Sequence, residues 1–345
     1  MKTSQPINLK PVATIGICIP TYNRAFYLDR LLQSLSIEAV QNANIRIFIS
    51  DNCSSDKTEE IILAHAKSID LRYKVNKHNL GADQNFIQVM RMADTDYVWL
   101  LGSDDLAHSD SVKLIGSKIN KWMPDIMIGS RLEFENHNPK NLKLRKWSSQ
   151  VGDQIINSGD KKAMQQYFKS LDSIGGAFSY LSSIVYKRSC LNLDDPSILD
   201  YHGTAYSHAY VLLKALSITP LRLLVTEDAL VLCRLGNDGF LSQLGISDRI
   251  RLDFIGYLKL THSFKSYSEI LGILTKEHPQ ANLEACFSNQ PRLISVLTIK
   301  NIFLFARCKI PFKTISKALL SAILSRGLSL SKKFLHRFAN NQTKM

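Results

Sequence analysis

The strongest constraint on this chain is an alternation in its N-terminal third. Short apolar runs there alternate with segments of helical spacing, and each run stops at turn-forming or polar residues. Residues 14–19 are apolar and end at Pro20. Within 25–35, Leu28, Leu31, Leu32 and Leu35 recur at the spacing of a helix face. Residues 45–50 predict a second strand, ending at Asp51-Asn52-Cys53-Ser54-Ser55. A helix is expected next, with Asp56 as N-cap and Glu59 three residues on, close to a capping box. Residues 71–75 predict a third strand, 81–92 a helix and 97–101 a fourth strand, which stops at Gly102-Ser103-Asp104-Asp105. This order predicts a parallel sheet with helices on both faces. Such sheets bind ligands beyond the carboxyl ends of their strands, where this sequence concentrates its polar residues.

Composition narrows the class. The chain has 345 residues, 45% of them apolar, enough for one large domain with an appendage. Its six cysteines are widely spaced and form no CxxC pair, which argues for a reducing compartment and against a zinc or disulfide framework. The N-terminus lacks a signal-peptide pattern, and no run approaches the length of a spanning helix. The expectation is a cytoplasmic protein.

The formal charge of +13 is concentrated at one end. After Glu284 come eleven Lys and Arg and no acidic residue, leaving +2 for the rest. Residues 296–337 interleave these charges with Leu, Ile and Phe. A basic amphipathic surface drawn to anionic lipid is the first reading, and a helical subdomain with a solvated basic face is the second. Nucleic-acid binding ranks last, because no nucleic-acid motif is present.

Four constellations carry chemistry. Asp104 and Asp105 are adjacent carboxylates whose repulsion a divalent cation would relieve. Their oxygens suit Mg²⁺ or Mn²⁺, which can also hold a diphosphate, although a turn or helix cap is the commoner reading of such a pair taken alone. Asp51 and Asn52 stand at a strand end, able to meet a base or ribose. In 20–24, Tyr22 can stack on a base and Arg24 can meet a phosphate, while an ordinary turn explains each residue singly. The segment 79–85 contains Gly81, which permits close backbone approach, and Asp83.

Taken in order, these segments resemble glycosyltransferase family 2 with the GT-A fold, over about residues 12–110. The resemblance implies that Pro20, Tyr22, Asn23, Asp51 and Asp83 line a nucleotide pocket. It implies that Asp104 faces the ribose or donor sugar and that Asp105 holds the metal. Ser103 departs from the family's usual Asp, which leaves Asp105 the expected metal ligand. The segments 173–183, 203–208 and 233–238 are similar to a narrower group, the abequosyltransferase-like enzymes of bacterial O-antigen assembly. That likeness implies a CDP-linked 3,6-dideoxyhexose donor and a lipid-linked oligosaccharide acceptor on a polyprenyl diphosphate, at the cytoplasmic face of the inner membrane. UDP, GDP or dTDP sugars are alternative donors.

An inverting transfer needs a base for the acceptor hydroxyl. Many members of the family supply it from a Glu-Asp pair at a helix start, where this chain has Tyr206-Ser207-His208. His208 is the first candidate because imidazole titrates near neutrality, a capping or packing histidine is the equal alternative, and Asp200 is the reserve. Gly176, Phe178, Tyr180 and Tyr206 are expected on the acceptor side, with at least one of Phe178 and Tyr180 in the core. Arg234 can meet the diphosphate, and 235–239 reads as a loop able to close over donor.

The predicted organisation is an extension over 1–11 and a catalytic domain over 12–247. That domain divides into a nucleotide-binding half, 12–110, and an acceptor-binding half, 111–247. A helical basic region follows over 248–345. Two rivals stand beside a transferase of sugars. A nucleotidyltransferase would require a Gly-rich basic loop after the first strand, which 20–24 is not. A non-catalytic sugar-binding scaffold would fit the missing acidic base but not the intact carboxylate pair.

Overall fold

The computed structural model describes residues 13–273, except 42–43, 136–138, 140, 150, 238, 265–266, 268 and 271–272. The basic tail read from the sequence lies outside the described residues.

The predicted alternation folds as expected. Strand β1 (Ile15–Thr21) leads to helix α1 (Ala25–Gln41), β2 (Ile45–Asp51) to α2 (Thr58–His65), and β3 (Leu71–Val75) to α3 (Ala82–Met92), before β4 (Tyr97–Leu100). These four strands pair in parallel in the order β3-β2-β1-β4. Asp56 stands two residues ahead of α2 rather than at its cap position. Its carboxylate accepts from Thr58 N at 3.0 Å and from Ala25 N, the first residue of α1, at 3.0 Å, so one side chain ties two helix starts together.

The second half departs from the parallel pattern. A short β5 (Leu106–Ala107) precedes α4 (Ser111–Trp122), β6 (Ile126–Phe134), β7 (Lys143–Arg145), β8 (Gln154–Asn157) and α5 (Lys161–Ser170). Then come β9 (Ile184–Lys187), α6 (Ser207–Ile218), β10 (Arg222–Arg234) and α7 (Gly239–Ser263). The sheet continues as β4-β9-β6-β10-β5, with β7 on β6 and β8 on β10. Strand β9 runs antiparallel to both β4 and β6, while β10 runs parallel to β6. The sheet is therefore mixed, its parallel block carrying the N-terminal motifs.

Alternation along the strands divides the core. Ile17, Ile19, Ile47, Ile49 and Trp99 face one side with Leu28, Leu31, Leu32 and Leu35 of α1 and Val112, Ile115 and Ile119 of α4. Cys18, Phe48, Val98 and Leu100 face the other with side chains of α3, α5, α6 and α7. Helix α7 runs straight through the predicted boundary at 247/248, and its Phe254, Tyr257, Leu258 and Leu260 belong to this second core. No helix among the described residues is long and apolar enough to cross a membrane.

Candidate functional site

The carboxyl ends of β1, β2 and β3 lie side by side, with Thr21 opposite Asp51 and Asp51 opposite Val75. The loops leaving them are stapled to one another by side chains. Asn23 adopts a left-handed backbone (φ 51°), which asparagine tolerates better than most residues. Its Oδ1 accepts from Ser55 N at 2.8 Å, and its own N–H donates to Ser54 Oγ at 2.8 Å. Asp51 is buried, and its carboxylate accepts from the Ser54 hydroxyl. Burial pushes its pKa up, against the hydrogen bonds from Ser54. Asn52 Oδ1 accepts from Leu80 N at 2.8 Å, and Asn52 Nδ2 donates to Asn79 Oδ1 at 2.8 Å. Asn76 and Asn85 extend this buried network to Ser50. Pro20 is buried in β1, while Tyr22 stays 39% exposed at the mouth of these loops, an aromatic surface on which a base can stack.

The acidic pair divides its work. Asp105 is turned inward: Oδ2 accepts from Tyr180 OH and Ser182 Oγ, each at 2.6 Å, and Oδ1 accepts from Arg234 N at 3.2 Å. Burial, and next the neighbouring charge of Asp104, raises its pKa to about 7. Asp104 is turned outward, its side chain 26% exposed. Its Oδ2 accepts from Arg24 Nη1 at 2.8 Å and from Asn237 Nδ2 at 3.2 Å. The inward carboxylate thus has three donors, and the outward one is the more exposed of the pair. Ser103 is buried beside them. Arg234 does not project into solvent. Its Nε donates to Asp104 O at 3.0 Å, and its guanidinium lies 5.2 Å from the Tyr27 ring centroid and 4.8 Å from that of Phe134.

The residues expected on the acceptor side are mostly core. Gly175 and Gly176 lie in a short 3₁₀ helix, Ile174–Ala177. A Cβ on Gly175 would lie 2.2 Å from the Trp147 ring, and one on Gly176 2.4 Å from Leu171, so close packing requires both glycines. Phe178 is fully buried, and Tyr206 is buried beneath α7 with its hydroxyl on Asp253. Tyr180 is the exception, because its hydroxyl reaches Asp105.

His208 is 1% exposed, within the first turn of α6. Its Nε2 meets Phe178 O at 2.9 Å, and Phe86 packs on its ring edge. Burial lowers its pKa to about 4. The ring is enclosed by the fold in this arrangement. Asp83 likewise turns away from the nucleotide loops. Its two oxygens accept from Ala205 N and Ser207 N, each at 2.9 Å, so it caps the start of α6 from α3. Asp200 is exposed in the 3₁₀ segment Pro196–Tyr201.

Several residues that matter here were not read as site residues: Tyr27, Ser54, Asn76, Ser182 and Asn237. Ser182 is 77 positions from the carboxylate that it holds, and no local pattern marks such a pair.

Among the described residues, no three His, Cys, Asp or Glu side chains gather into a metal cluster. The donor set nonetheless fits a Mg²⁺- or Mn²⁺-type site. Such ions keep several waters and need only one or two protein carboxylates when a substrate diphosphate supplies the rest. Asp104 offers one outward carboxylate oxygen of that kind.

Comparison with known proteins agrees with this geometry. The model of the family described as "Glycosyl transferase family 2" matches residues 16–188. The abequosyltransferase RfbV of Salmonella typhimurium is 34% identical over 290 residues, covering 80% of this chain and 85% of that protein. The solved structure of S. aureus TarS 1–349 in complex with UDP-GlcNAc superposes with a TM-score of 0.57 at 14% identity, covering 92% of this chain and 93% of that one. The mannosyltransferase PcManGT from Pyrobaculum calidifontis, in complex with GDP-Man and Mn²⁺, gives 0.50 at 12% identity over 90% of this chain and 86% of that one. With a family model spanning half its length and a relative alike over most of it, this chain belongs to glycosyltransferase family 2 and has the GT-A fold.

Proposed function

We propose that this glycosyltransferase moves a 3,6-dideoxyhexose such as abequose from a CDP-sugar to a lipid-linked oligosaccharide, with inversion, in O-antigen assembly. The observation that carries the donor class is the likeness to an abequosyltransferase over most of both chains. In this reading the stapled loops of β1 and β2 cradle the nucleoside, with Tyr22 against the base and Asp51 and Asn52 fixing the loop shape. The Asp104–Asp105 turn would hold Mg²⁺ or Mn²⁺, with Asp105 as the expected ligand, and the ion when bound would neutralise charge on the departing diphosphate. Arg24 supplies a second positive charge at the same place.

Of the two candidates for the acceptor proton, His208 is buried and Asp200 is exposed, which favours Asp200 in that role. The acceptor hangs from a polyprenyl diphosphate. The basic tail would bring the enzyme to the anionic cytoplasmic surface where that lipid lies.

The test is calorimetric binding of CDP, UDP, GDP and dTDP to the full chain with Mn²⁺, followed by transfer assays with the matching sugars. Selective binding of CDP and transfer from a CDP-dideoxyhexose is expected. Selective binding of another nucleotide would replace the donor while leaving the family reading in place. For the base, Asp200→Asn is expected to lower kcat by about 10²-fold or more, and full turnover of that variant would remove Asp200 from the role.

A further inference from the structure

We infer that Arg131, on β6, is a positioning residue of the acidic turn: it fixes the ring of Tyr180, and through the Tyr180 hydroxyl it fixes the carboxylate of Asp105. This rests on the reading of that turn as the cation site.

Asp105 Oδ2 accepts two hydrogen bonds of 2.6 Å, from Ser182 Oγ and from Tyr180 OH. Those take both lone pairs of that oxygen. Oδ1 has one longer bond, 3.2 Å from Arg234 N, which leaves it a lone pair for a further partner. The direction in which Asp105 presents Oδ1 is therefore set by the two donors on Oδ2. Ser182 is anchored at the end of β4, where its Oγ accepts from Gly102 N at 2.9 Å and its carbonyl from Trp99 Nε1 at 2.9 Å. Tyr180 is anchored differently, by what holds its ring.

The guanidinium of Arg131 lies 4.8 Å from the Tyr180 centroid and 4.6 Å from that of Trp147, and the two rings are 5.7 Å apart, so one cation engages both. Trp147 is fixed in turn by its indole N–H on Gly129 O at 2.6 Å. Glu133 Oε1 accepts from Arg131 Nε at 3.0 Å and from Nη2 at 2.6 Å, which orients the guanidinium. Sheet stability does not account for an arginine here. The register sets Arg145 of β7 directly opposite Arg131, and like charges across an antiparallel pair are destabilising. The side chain is also only 19% exposed, so its charge has lost much of its hydration. What Arg131 contributes is the position of a ring whose hydroxyl reaches the acidic turn. A cation on the ring face also polarises the phenol and strengthens its O–H as a donor to the carboxylate.

The experiment is a double-mutant cycle on the full chain: wild type, Tyr180→Phe, Arg131→Met and the two combined, with Arg131→Lys as the conservative variant. Arg131→Met keeps the length of the side chain without its charge. Mn²⁺ affinity is followed by the electron paramagnetic resonance signal of free Mn²⁺, with and without CDP or UDP, and kcat by transfer from the active nucleotide sugar. Tyr180→Phe and Arg131→Met are each expected to weaken Mn²⁺ binding by about 10-fold, the lower end for a hydrogen-bond partner of a ligating carboxylate. The combined variant should bind no more weakly than Tyr180→Phe alone, because both changes break the same link. Arg131→Lys should recover most of the affinity, since an ammonium can still lie over the ring. Losses that multiply in the combined variant would overturn the inference, because Arg131 would then act apart from Tyr180. So would wild-type Mn²⁺ affinity in either single variant with near-UV circular dichroism like that of wild type. If wild type transfers sugar but takes up no Mn²⁺, the cation reading falls alone, and the same cycle in kcat decides whether Arg131 acts through Tyr180.

Discussion

The two sides of the cleft treat their conspicuous residues in opposite ways. On the β1–β2 side, Asn23, Asp51, Asn52, Arg24 and Asp104 all sit at strand ends and bond to one another or to their loops. On the side built from residues 174–208, Gly176, Phe178, Tyr206 and His208 have gone into the core, and Tyr180 and Ser182 reach back to Asp105. The difference teaches where a polar motif is informative. In a parallel block every strand delivers its loop to the same edge, so order along the chain becomes proximity in space. In the mixed half, strands enter from both directions, and a glycine pair or a histidine answers to packing before it answers to a ligand.

The comparison is broken most severely at Asp104. If the β1–β2 side holds the chemistry, Asp104→Asn should lower kcat/KM by about 10³-fold with little change in urea midpoint, because the carboxylate is partly exposed. A large stability loss with modest kinetic loss would invert the assignment. On the other side, Gly175→Ala should act through stability. Its Cβ would fall 2.2 Å from Trp147, an overpacking that costs about 3 kcal/mol, read as a lower urea midpoint.

His208 sharpens the contrast through pH. Its folded pKa of about 4 lies below the unfolded value of 6.5, so between those values the unfolded chain binds the proton and the folded chain does not. Stability from this group is full above pH 6.5 and is lost as pH falls toward 4, by up to about 3 kcal/mol. His208→Gln should flatten urea midpoints across that window, and an unchanged slope would show that the ring does not titrate as a buried group. The smallest effect is expected at a link between the sides. Tyr180→Phe removes a hydroxyl that donates to Asp105, and should cost about 1 kcal/mol of stability with a severalfold fall in kcat. A variant with unchanged kcat would reduce Tyr180 to packing.

Much of the parallel block was legible beforehand. Strands at 45–50, 71–75 and 97–101 came within one residue of their observed ends, because buried apolar runs and turn residues are local signals. The helix start expected at Tyr206-Ser207-His208 falls at Ser207, where Asp83 accepts from the backbone. The antiparallel insertion of β9 between β4 and β6 was not legible, because periodicity carries no partner or direction.

What the sequence determined by itself is the parallel block, the strand ends where polar residues gather, and the family to which the chain belongs. Those follow from short-range spacing and from motifs read in order. Only the tertiary structure decided which of Asp104 and Asp105 is the more exposed, that His208 and Asp83 are buried against α6 and its neighbours, and that Arg24 and Asn237 meet at one carboxylate oxygen. Each of those outcomes turns on a partner tens to hundreds of positions away, and burial, which selects the partner, is a property of the assembled sheet.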